Sequence, residues 1–170
     1  YKMTKRILNC AITGSIHVPS MSPYLPITQD EIAQNAIDAA NAGASAVHIH
    51  ARNPENGMPS PDLGLYEEII GKIRDKNKDV IICITTGGGA GMSVEQRVAV
   101  VPKFKPELAS MNAGSINWGL FPAAAKIKEF KYPWEKAMLD MTKGFIFQNT
   151  FADMEVMIRT MNENGTKPEL

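Results

Sequence analysis

The sequence predicts an α/β fold built on a parallel sheet, and three observations lead to this prediction. Apolar runs typical of strands alternate with amphipathic segments of helical period, in the order β-α-β-α-β-α-β-α. The strand predicted at 79–84 is continuously apolar, as expected of a parallel strand covered on both faces. Polar and glycine-rich clusters follow the carboxyl ends of strands, where open doubly wound sheets and closed eight-stranded barrels both place their sites.

The composition is that of an ordinary globular protein with a core of its own. The chain has 170 residues, 44% hydrophobic, and no formal net charge, so no basic surface favours a nucleic-acid partner. No apolar run is long enough to span a bilayer and no cleavable signal opens the chain, which predicts a cytoplasmic protein without a membrane partner. Cys10 and Cys83 fall in predicted strands and are expected to be buried, reduced thiols.

The elements of the first half are marked by turns and caps. A first strand at 7–12 leads into a proline-rich loop, and Thr28 and Glu31 have the spacing of a capping box, which predicts a helix from Gln29 that stops at Gly43. A second strand follows at 46–50. Ser60 and the proline after it predict the start of the next helix.

The second half contains one less regular stretch. Ser93 caps a predicted helix that ends before Pro102, and a fourth strand is predicted at 107–112. From 118 to 143, where Pro122 and Pro133 are expected to break regular structure, only a helix near 123–128 is predicted. An extended segment follows at 144–147. Thr150 opens a helix whose methionines are expected to pack in the core.

Residues 167–170 have the character of another strand. A full eight-stranded barrel takes about 250 residues, so we expect residues 1–170 to form a single, incomplete domain of such a barrel.

The most informative motif is a pair of histidines at the end of the second strand. Side chains alternate across a strand, so His48 and His50 face the same side and could hold one metal ion. A histidine on an apolar face is often only a satisfied core residue, and both interpretations stay open for the bare pair.

A second motif is the turn Thr85-Thr86-Gly87-Gly88-Gly89 at the end of the third strand. A glycine-rich turn exposes backbone N–H groups to an anion, and a threonine hydroxyl adds a donor. Alone, the turn would more simply be a flexible connection. Arg52, next to the histidines, is expected to form a structural ion pair.

Seven motifs taken together resemble the beta-keto acid cleavage enzymes. They are Ala11-Ile12-Thr13-Gly14-Ser15, Leu25-Pro26-Ile27-Thr28, Gly43-Ala44, His48-Ile49-His50-Ala51-Arg52, Gly57-x-Pro59-Ser60, Thr85-Thr86-Gly87-Gly88 and Asn112-Ala113-Gly114-Ser115-Ile116-Asn117. The resemblance implies the N-terminal part of a (β/α)8 TIM barrel with parallel strands. It also implies a zinc-dependent enzyme that condenses a β-keto acid with acetyl-CoA, giving acetoacetate and a new acyl-CoA.

The resemblance assigns expected roles to individual residues. His48 and His50 match the family's two histidine zinc ligands, and Thr85 with the amide of Gly88 matches the group that holds the substrate carboxylate. Asn112 and Ser115 match positions that line the substrate pocket. The third zinc ligand, the general base and a substrate-binding arginine are expected outside these 170 residues, so no catalytic residue is assigned.

One departure from the family pattern bears on the substrate. Members that act on amino-substituted keto acids carry a glutamate where this chain has Ile16, and an apolar side chain cannot neutralise an ammonium group. The sequence therefore predicts a substrate without an amino group there. The neighbouring His17 is expected to be a solvated loop residue.

The sequence leaves two other functions open. One is a metal-dependent aldolase or isomerase on the same barrel, since a fold does not fix chemistry. The other is a non-catalytic half barrel that acts as a scaffold. The family resemblance implies a homo-oligomer, usually a tetramer, and unpaired sheet edges could alternatively bind a complementary half-barrel segment.

Overall fold

The computed structural model describes residues 6–88 and 91–170, so Gly89 of the glycine turn lies outside them. The strands are β1 Asn9–Ala11, β2 Ala46–Ile49, β3 Ile81–Ile84, β4 Leu108–Ser110, β5 Ile116–Asn117, β6 Ile146–Phe147 and β7 Lys167–Glu169. The helices are α1 Gln29–Asn41, α2 Leu63–Lys76, α3 Val94–Val98, α4 Val100–Phe104, α5 Phe121–Ala124, α6 Pro133–Met141 and α7 Phe151–Glu163, with a 3-10 turn at Pro19–Met21.

Five strands form one parallel sheet in the order β1-β2-β3-β4-β7, which confirms the predicted α/β fold. The sheet is strongly curved, because Asn9 of β1 donates a hydrogen bond to Glu169 of β7 at 2.6 Å although these are its two outer strands. In an eight-stranded barrel, side chains from alternate strands meet in one interior layer. Asn9, Cys83 and Glu169 come from the first, third and fifth strands of the sheet. The sheet is therefore part of a (β/α)8 barrel.

The opposite face of this sheet carries the apolar core. The strand residues on this face are covered by α1, α2 and α7. The core that these strands and helices form together is almost entirely aliphatic or methionine. Fully or nearly fully buried members include Ile32, Ala36, Val47, Ile49, Ile69, Ile73, Ile82, Ile84, Ala109, Met157 and Met161. Within the described ranges 6–88 and 91–170, no helix is long and apolar enough to cross a membrane.

Local capping signals set most helix starts. Thr28 accepts from the amide of Glu31 and completes the predicted capping box of α1, and Thr150 caps α7 in the same way. The predicted start of α2 at Ser60 was wrong. Ser60 accepts from the amide of Asp62, and Asp62 is the residue that caps α2 through the amide of Gly64. The serine therefore shapes the turn before the helix.

The helix after Ser93 was expected to end before Pro102, and this is confirmed, because α3 ends at Val98. Pro102 itself lies in the first turn of the separate helix α4, where its missing N–H costs no hydrogen bond. A prediction about another proline was wrong. Pro133 was interpreted as a breaker, but it is the first residue of α6, where its fixed φ suits a helix. The helix predicted near 123–128 is the short α5.

Candidate functional site

The imidazole rings of His48 and His50 converge on the inner side of the sheet. Their Nε2 atoms are 2.9 Å apart, and the rings meet edge to face with their centres separated by 4.9 Å. The spacing of two along β2 and the loop after it turns both rings inward, as the alternation of a strand requires. The sequence therefore correctly predicts that the two rings share a face.

Below His48, three polar side chains fill the interior of the sheet. Nδ1 of His48 contacts Sγ of Cys83 at 3.1 Å, and Cys83 donates to Oε2 of Glu169 at 3.1 Å. Asn9 donates to the other carboxylate oxygen of Glu169. We call Asn9, Cys83 and Glu169 the lower layer. Sequence reasoning treated Cys83 as an inert core thiol, but this free, buried thiol contacts a histidine and a carboxylate.

Burial sets the charge states of these groups. Desolvation, with the charges of His48 and Arg52, lowers the pKa of His50 to about 3. Burial also lowers the pKa of His48, although the charge of Glu169 opposes this. Burial and the neighbouring carboxylate raise the pKa of the Cys83 thiol. Burial would raise the pKa of Glu169, but its hydrogen bonds from Asn9 and Cys83 outweigh that and lower it. Near neutral pH the site thus has neutral imidazoles, a thiol and a carboxylate.

A cavity of about 390 Å³ opens above the two histidines. It is lined by the ends of four strands and by part of the segment between β4 and α7, through Ala11, Gly14, Ser15, Ile16, His48, His50, Thr85, Gly87, Gly88, Ser110, Asn112, Trp118 and Phe147. The structure therefore brings together five of the six site residues named from the sequence, His48, His50, Thr85, Gly88 and Asn112, along one cavity.

The sixth, Ser115, has a different position. Its hydroxyl accepts from the backbone amide of Asn149 at 2.9 Å, and it does not line the cavity. Ser110 lines the cavity instead and was missed. The signal was present, because Ser110 lies two residues before Asn112 and so faces the same side of β4.

The glycine turn after β3 is held from below by Arg97. This buried guanidinium donates to the carbonyl of Thr86 at 2.9 Å, and a Cβ on Gly88 would lie 2.5 Å from Cγ of Arg97. Gly88 also has a φ of +60°, which a side chain would disfavour. Thr85 accepts from the amide of Gly87 at 2.9 Å. The turn is therefore a packed structure around Thr85, and sequence reasoning missed the role of Arg97.

Arg97 also connects this turn to the segment between β4 and α7. It donates to the carbonyl of Gln148 and the side chain of Asn149, and its guanidinium lies 5.0 Å from the ring centre of Phe147. The ring of Phe147 in β6 and the ring of Trp118, which directly follows β5, are tilted against each other with their centres 6.1 Å apart. Together with Ile16 they give the cavity an apolar wall.

Arg52 organises the loop after β1. The ion pair predicted for it was wrong, because its side chain donates to the backbone carbonyls of Gly14, His17 and Gly57 at 2.7 to 2.8 Å. Its full burial favours carbonyl partners that are already fixed by the fold. The predicted exposure of His17 agrees with its position on this loop.

The histidine pair fits a zinc ion. Zinc binds neutral imidazole nitrogens at about 2.0–2.1 Å, so one ion can reach two nitrogens that lie 2.9 Å apart. A second set consists of one candidate ligand atom on each of His48, Cys83 and Glu169, and these atoms all lie within 4.8 Å of one another. There the thiol already donates to the carboxylate, and both carboxylate oxygens accept hydrogen bonds. The upper pair is thus the better donor set.

Comparison with known proteins defines the class. The profile of the beta-keto acid cleavage enzyme family matches residues 5–170, and the chain belongs to this family. A 3,5-dioxohexanoate:acetyl-CoA acetone transferase of Paraburkholderia graminis is 44% identical over 168 residues, which cover 98% of this chain and 54% of that protein. A 3-dehydrocarnitine:acetyl-CoA trimethylamine transferase of Rhizobium meliloti is 30% identical over 96% of this chain and 53% of its own length.

A 3-keto-5-aminohexanoate cleavage enzyme of Fusobacterium nucleatum is 38% identical over 117 residues, which cover 69% of this chain and 42% of that enzyme. The chain thus spans about half the length of the curated relatives it matches. Among solved structures, a ternary complex of ObcA with a C4-CoA adduct and oxalate superimposes with a TM-score of 0.66 at 20% identity, over 88% of this chain and 31% of ObcA. This likeness supports the fold.

Proposed function

We propose that the chain is part of a zinc-dependent enzyme that condenses a β-keto acid with acetyl-CoA, giving acetoacetate and a new acyl-CoA. The observation that carries the proposal is the convergence of His48 and His50 at 2.9 Å beneath a cavity, in a chain of the beta-keto acid cleavage enzyme family. Three relatives are named for keto-acid cleavage or for transfer with acetyl-CoA, which supports the same chemistry.

In this proposal His48 and His50 are two of the zinc ligands. A zinc ion bound there would act as a Lewis acid on the keto oxygen of the substrate. Burial favours the neutral form of both imidazoles, so each ring keeps one nitrogen with the lone pair that a metal requires. We place the third ligand and the general base in a part of the protein outside these 170 residues. The chain would then be one incomplete barrel domain.

The glycine turn would bind the substrate carboxylate. Thr85 lines the cavity, and its hydroxyl can donate to an anion while still accepting from the amide of Gly87. Gly88 brings the backbone close to the same point. Asn112 also lines the cavity and adds a side-chain amide, whereas Ser115 is a candidate that does not line it. A hydroxyl and amides suit a carboxylate better than they suit a cation.

The apolar wall points to the chemical class of the keto acid. Ile16, Trp118 and Phe147 line the cavity, and such side chains would leave a substrate ammonium without a partner. We therefore propose a β-keto acid without an amino group. The relative named for 3,5-dioxohexanoate, which carries no amino group, supports this choice. We further propose a homo-oligomer, which the family resemblance implies. The outer strands β1 and β7 of the described sheet would pair with the remaining barrel segment of the full-length protein.

The test uses the full-length protein. Zinc per chain is measured by elemental analysis, and acetoacetate release is assayed with acetyl-CoA and either 3,5-dioxohexanoate or 3-keto-5-aminohexanoate. We expect bound zinc, release that depends on acetyl-CoA, and a preference for the dioxo acid. His48→Ala should lose the zinc and at least 100-fold of the activity, since even a residue behind a ligand is worth about 10- to 100-fold.

His17→Ala is the matched control, because this third histidine lies exposed on the loop after β1. It should keep both zinc and activity. Cleavage of the keto acid without any CoA thioester would favour an aldolase. An unchanged rate in His48→Ala would favour a scaffold or an unrelated site, and either result would refute the proposal.

A further inference from the structure

The lower layer is polar where barrel interiors are usually apolar. Layers of a (β/α)8 barrel are dominated by branched aliphatic residues, but this layer consists of an amide, a thiol and a carboxylate. Burying such groups is unfavourable unless they are hydrogen-bonded. Its upper contacts reach one histidine, through Sγ of Cys83 at 3.1 Å and Oε2 of Glu169 at 3.9 Å from Nδ1 of His48. These contacts place the layer where it can affect the protonation of the His48 ring.

The hydrogen bonds of the layer fix where its protons lie. One oxygen of Glu169 accepts from the amide of Asn9, and the other accepts from the Cys83 thiol. A thiol has a single proton, so after this donation the sulfur can offer only lone pairs to His48. The contact between Nδ1 of His48 and that sulfur then requires the proton to be on Nδ1. The nearby carboxylate favours the same arrangement.

A neutral imidazole carries one N–H, so a proton on Nδ1 leaves Nε2 with a lone pair. We propose that Cys83, held by Glu169 and Asn9, is a positioning residue that fixes His48 in the tautomer with its proton on Nδ1. Nε2 of His48 then carries a lone pair that accepts from Nε2 of His50 at 2.9 Å in metal-free protein, and the same lone pair can bind a metal that displaces the proton of His50. The inference rests on the proposed function for its consequence, metal binding, but the tautomer itself can be observed in metal-free protein.

Nuclear magnetic resonance of the histidine side chains tests this directly. In metal-free, full-length protein labelled with ¹⁵N-histidine, long-range proton–nitrogen correlations report which nitrogen of His48 is protonated. We expect the proton on Nδ1 in the unaltered protein and in Cys83→Ser, whose hydroxyl can accept and donate at the same places. Cys83→Ala should give a mixture of tautomers and bind zinc about 10- to 100-fold more weakly in chelator competition.

Cys10→Ala is the matched control, because Cys10 is the other free cysteine and lies next to Asn9 on the opposite face of β1. It should leave the tautomer and the zinc affinity unchanged. Glu169→Gln gives a second, opposite prediction. Asn9 would still donate to the amide oxygen, so the amide nitrogen would donate to the sulfur. The thiol proton would then turn to Nδ1 of His48, which moves the imidazole proton to Nε2.

Two results would overturn the inference. If Cys83→Ala, or Glu169→Gln where Cys83→Ala does not fold, keeps the proton of His48 on Nδ1, then the layer only fills space. If the cobalt-substituted protein shows sulfur-to-metal charge-transfer absorption that Cys83→Ser lacks, then Cys83 is itself a ligand. A protein that keeps the Nδ1 tautomer but binds no zinc would refute the proposed function and leave the positioning intact.

Discussion

The two faces of the parallel sheet use the same strands for different purposes. On the outer face, Ile49 and Ile84 are fully buried against helices and make only apolar contacts with the core. On the inner face, one residue away on each strand, His48 and Cys83 make directed contacts with named partner atoms. Because side chains alternate along a strand, a shift of one residue exchanges core packing for site chemistry.

The two faces should also differ in what they tolerate. Packing in an aliphatic layer depends on volume and shape, so similar side chains can replace one another at modest cost. The inner contacts depend on the position of single protons, such as the thiol proton given to Glu169. There a change that preserves volume can still remove the function. Outer-face variants should therefore alter stability, and inner-face variants should alter binding and turnover.

The largest expected effect is on the outer face. Ile84→Ala should lower the free energy of unfolding by about 2–5 kcal/mol, because Ile84 is 0% exposed and its truncation leaves a cavity. Denaturant unfolding of the full-length protein measures this. Ile84→Val should cost only about 0.5–1.5 kcal/mol. Zinc per folded chain should stay the same in both, and a loss of zinc in folded Ile84→Val would break the division between the faces.

The second-largest effect is expected at Thr85, which follows Ile84 in the sequence and lies on the inner face. Thr85→Val keeps the volume but removes the hydroxyl proposed to bind the substrate carboxylate. A hydrogen bond to a charged group is worth about 1.5–3 kcal/mol, so kcat/KM for the keto acid should fall about 10- to 100-fold. Steady-state kinetics measure this, and Thr85→Ser should retain most of the rate. An unchanged kcat/KM in Thr85→Val would place the carboxylate elsewhere.

The features that could be predicted from the residues alone depend on residues that are close together in the sequence. The capping box of Thr28 and Glu31 and the shared face of His48 and His50 each follow from spacings of two or three residues. The family resemblance then supplied the barrel and the expected roles. Together, the local spacings and the family resemblance predicted that the motifs follow successive strands. They also predicted most of the residues around the cavity.

The features that were missed depend on distant partners. Cys83 meets Glu169, which lies 86 residues further along the chain, so neither residue alone indicates a polar layer. Arg97 reaches Asn149 across 52 residues for the same reason. The helix α6 was missed because its first residue, Pro133, has opposite meanings inside a helix and at its start. In each of these cases the local sequence is compatible with more than one structure, and contacts with distant residues determine which one forms.

The smallest expected effects separate two serines that lie five residues apart. Ser110 lines the cavity and also accepts from the amide of Thr86 at 3.3 Å, whereas Ser115 accepts from the amide of Asn149 outside it. Each serine to alanine change removes one hydrogen bond, so each should lower the free energy of unfolding by about 0.5–1.5 kcal/mol. Only Ser110→Ala should also raise KM for the keto acid, by less than Thr85→Val does, because a neutral contact to the substrate is weaker than one to its carboxylate. Denaturant unfolding and steady-state kinetics of both variants test which of the two serines contacts the substrate. A rise in KM confined to Ser115→Ala would mean that the segment after β4 moves its serine into the cavity when substrate binds.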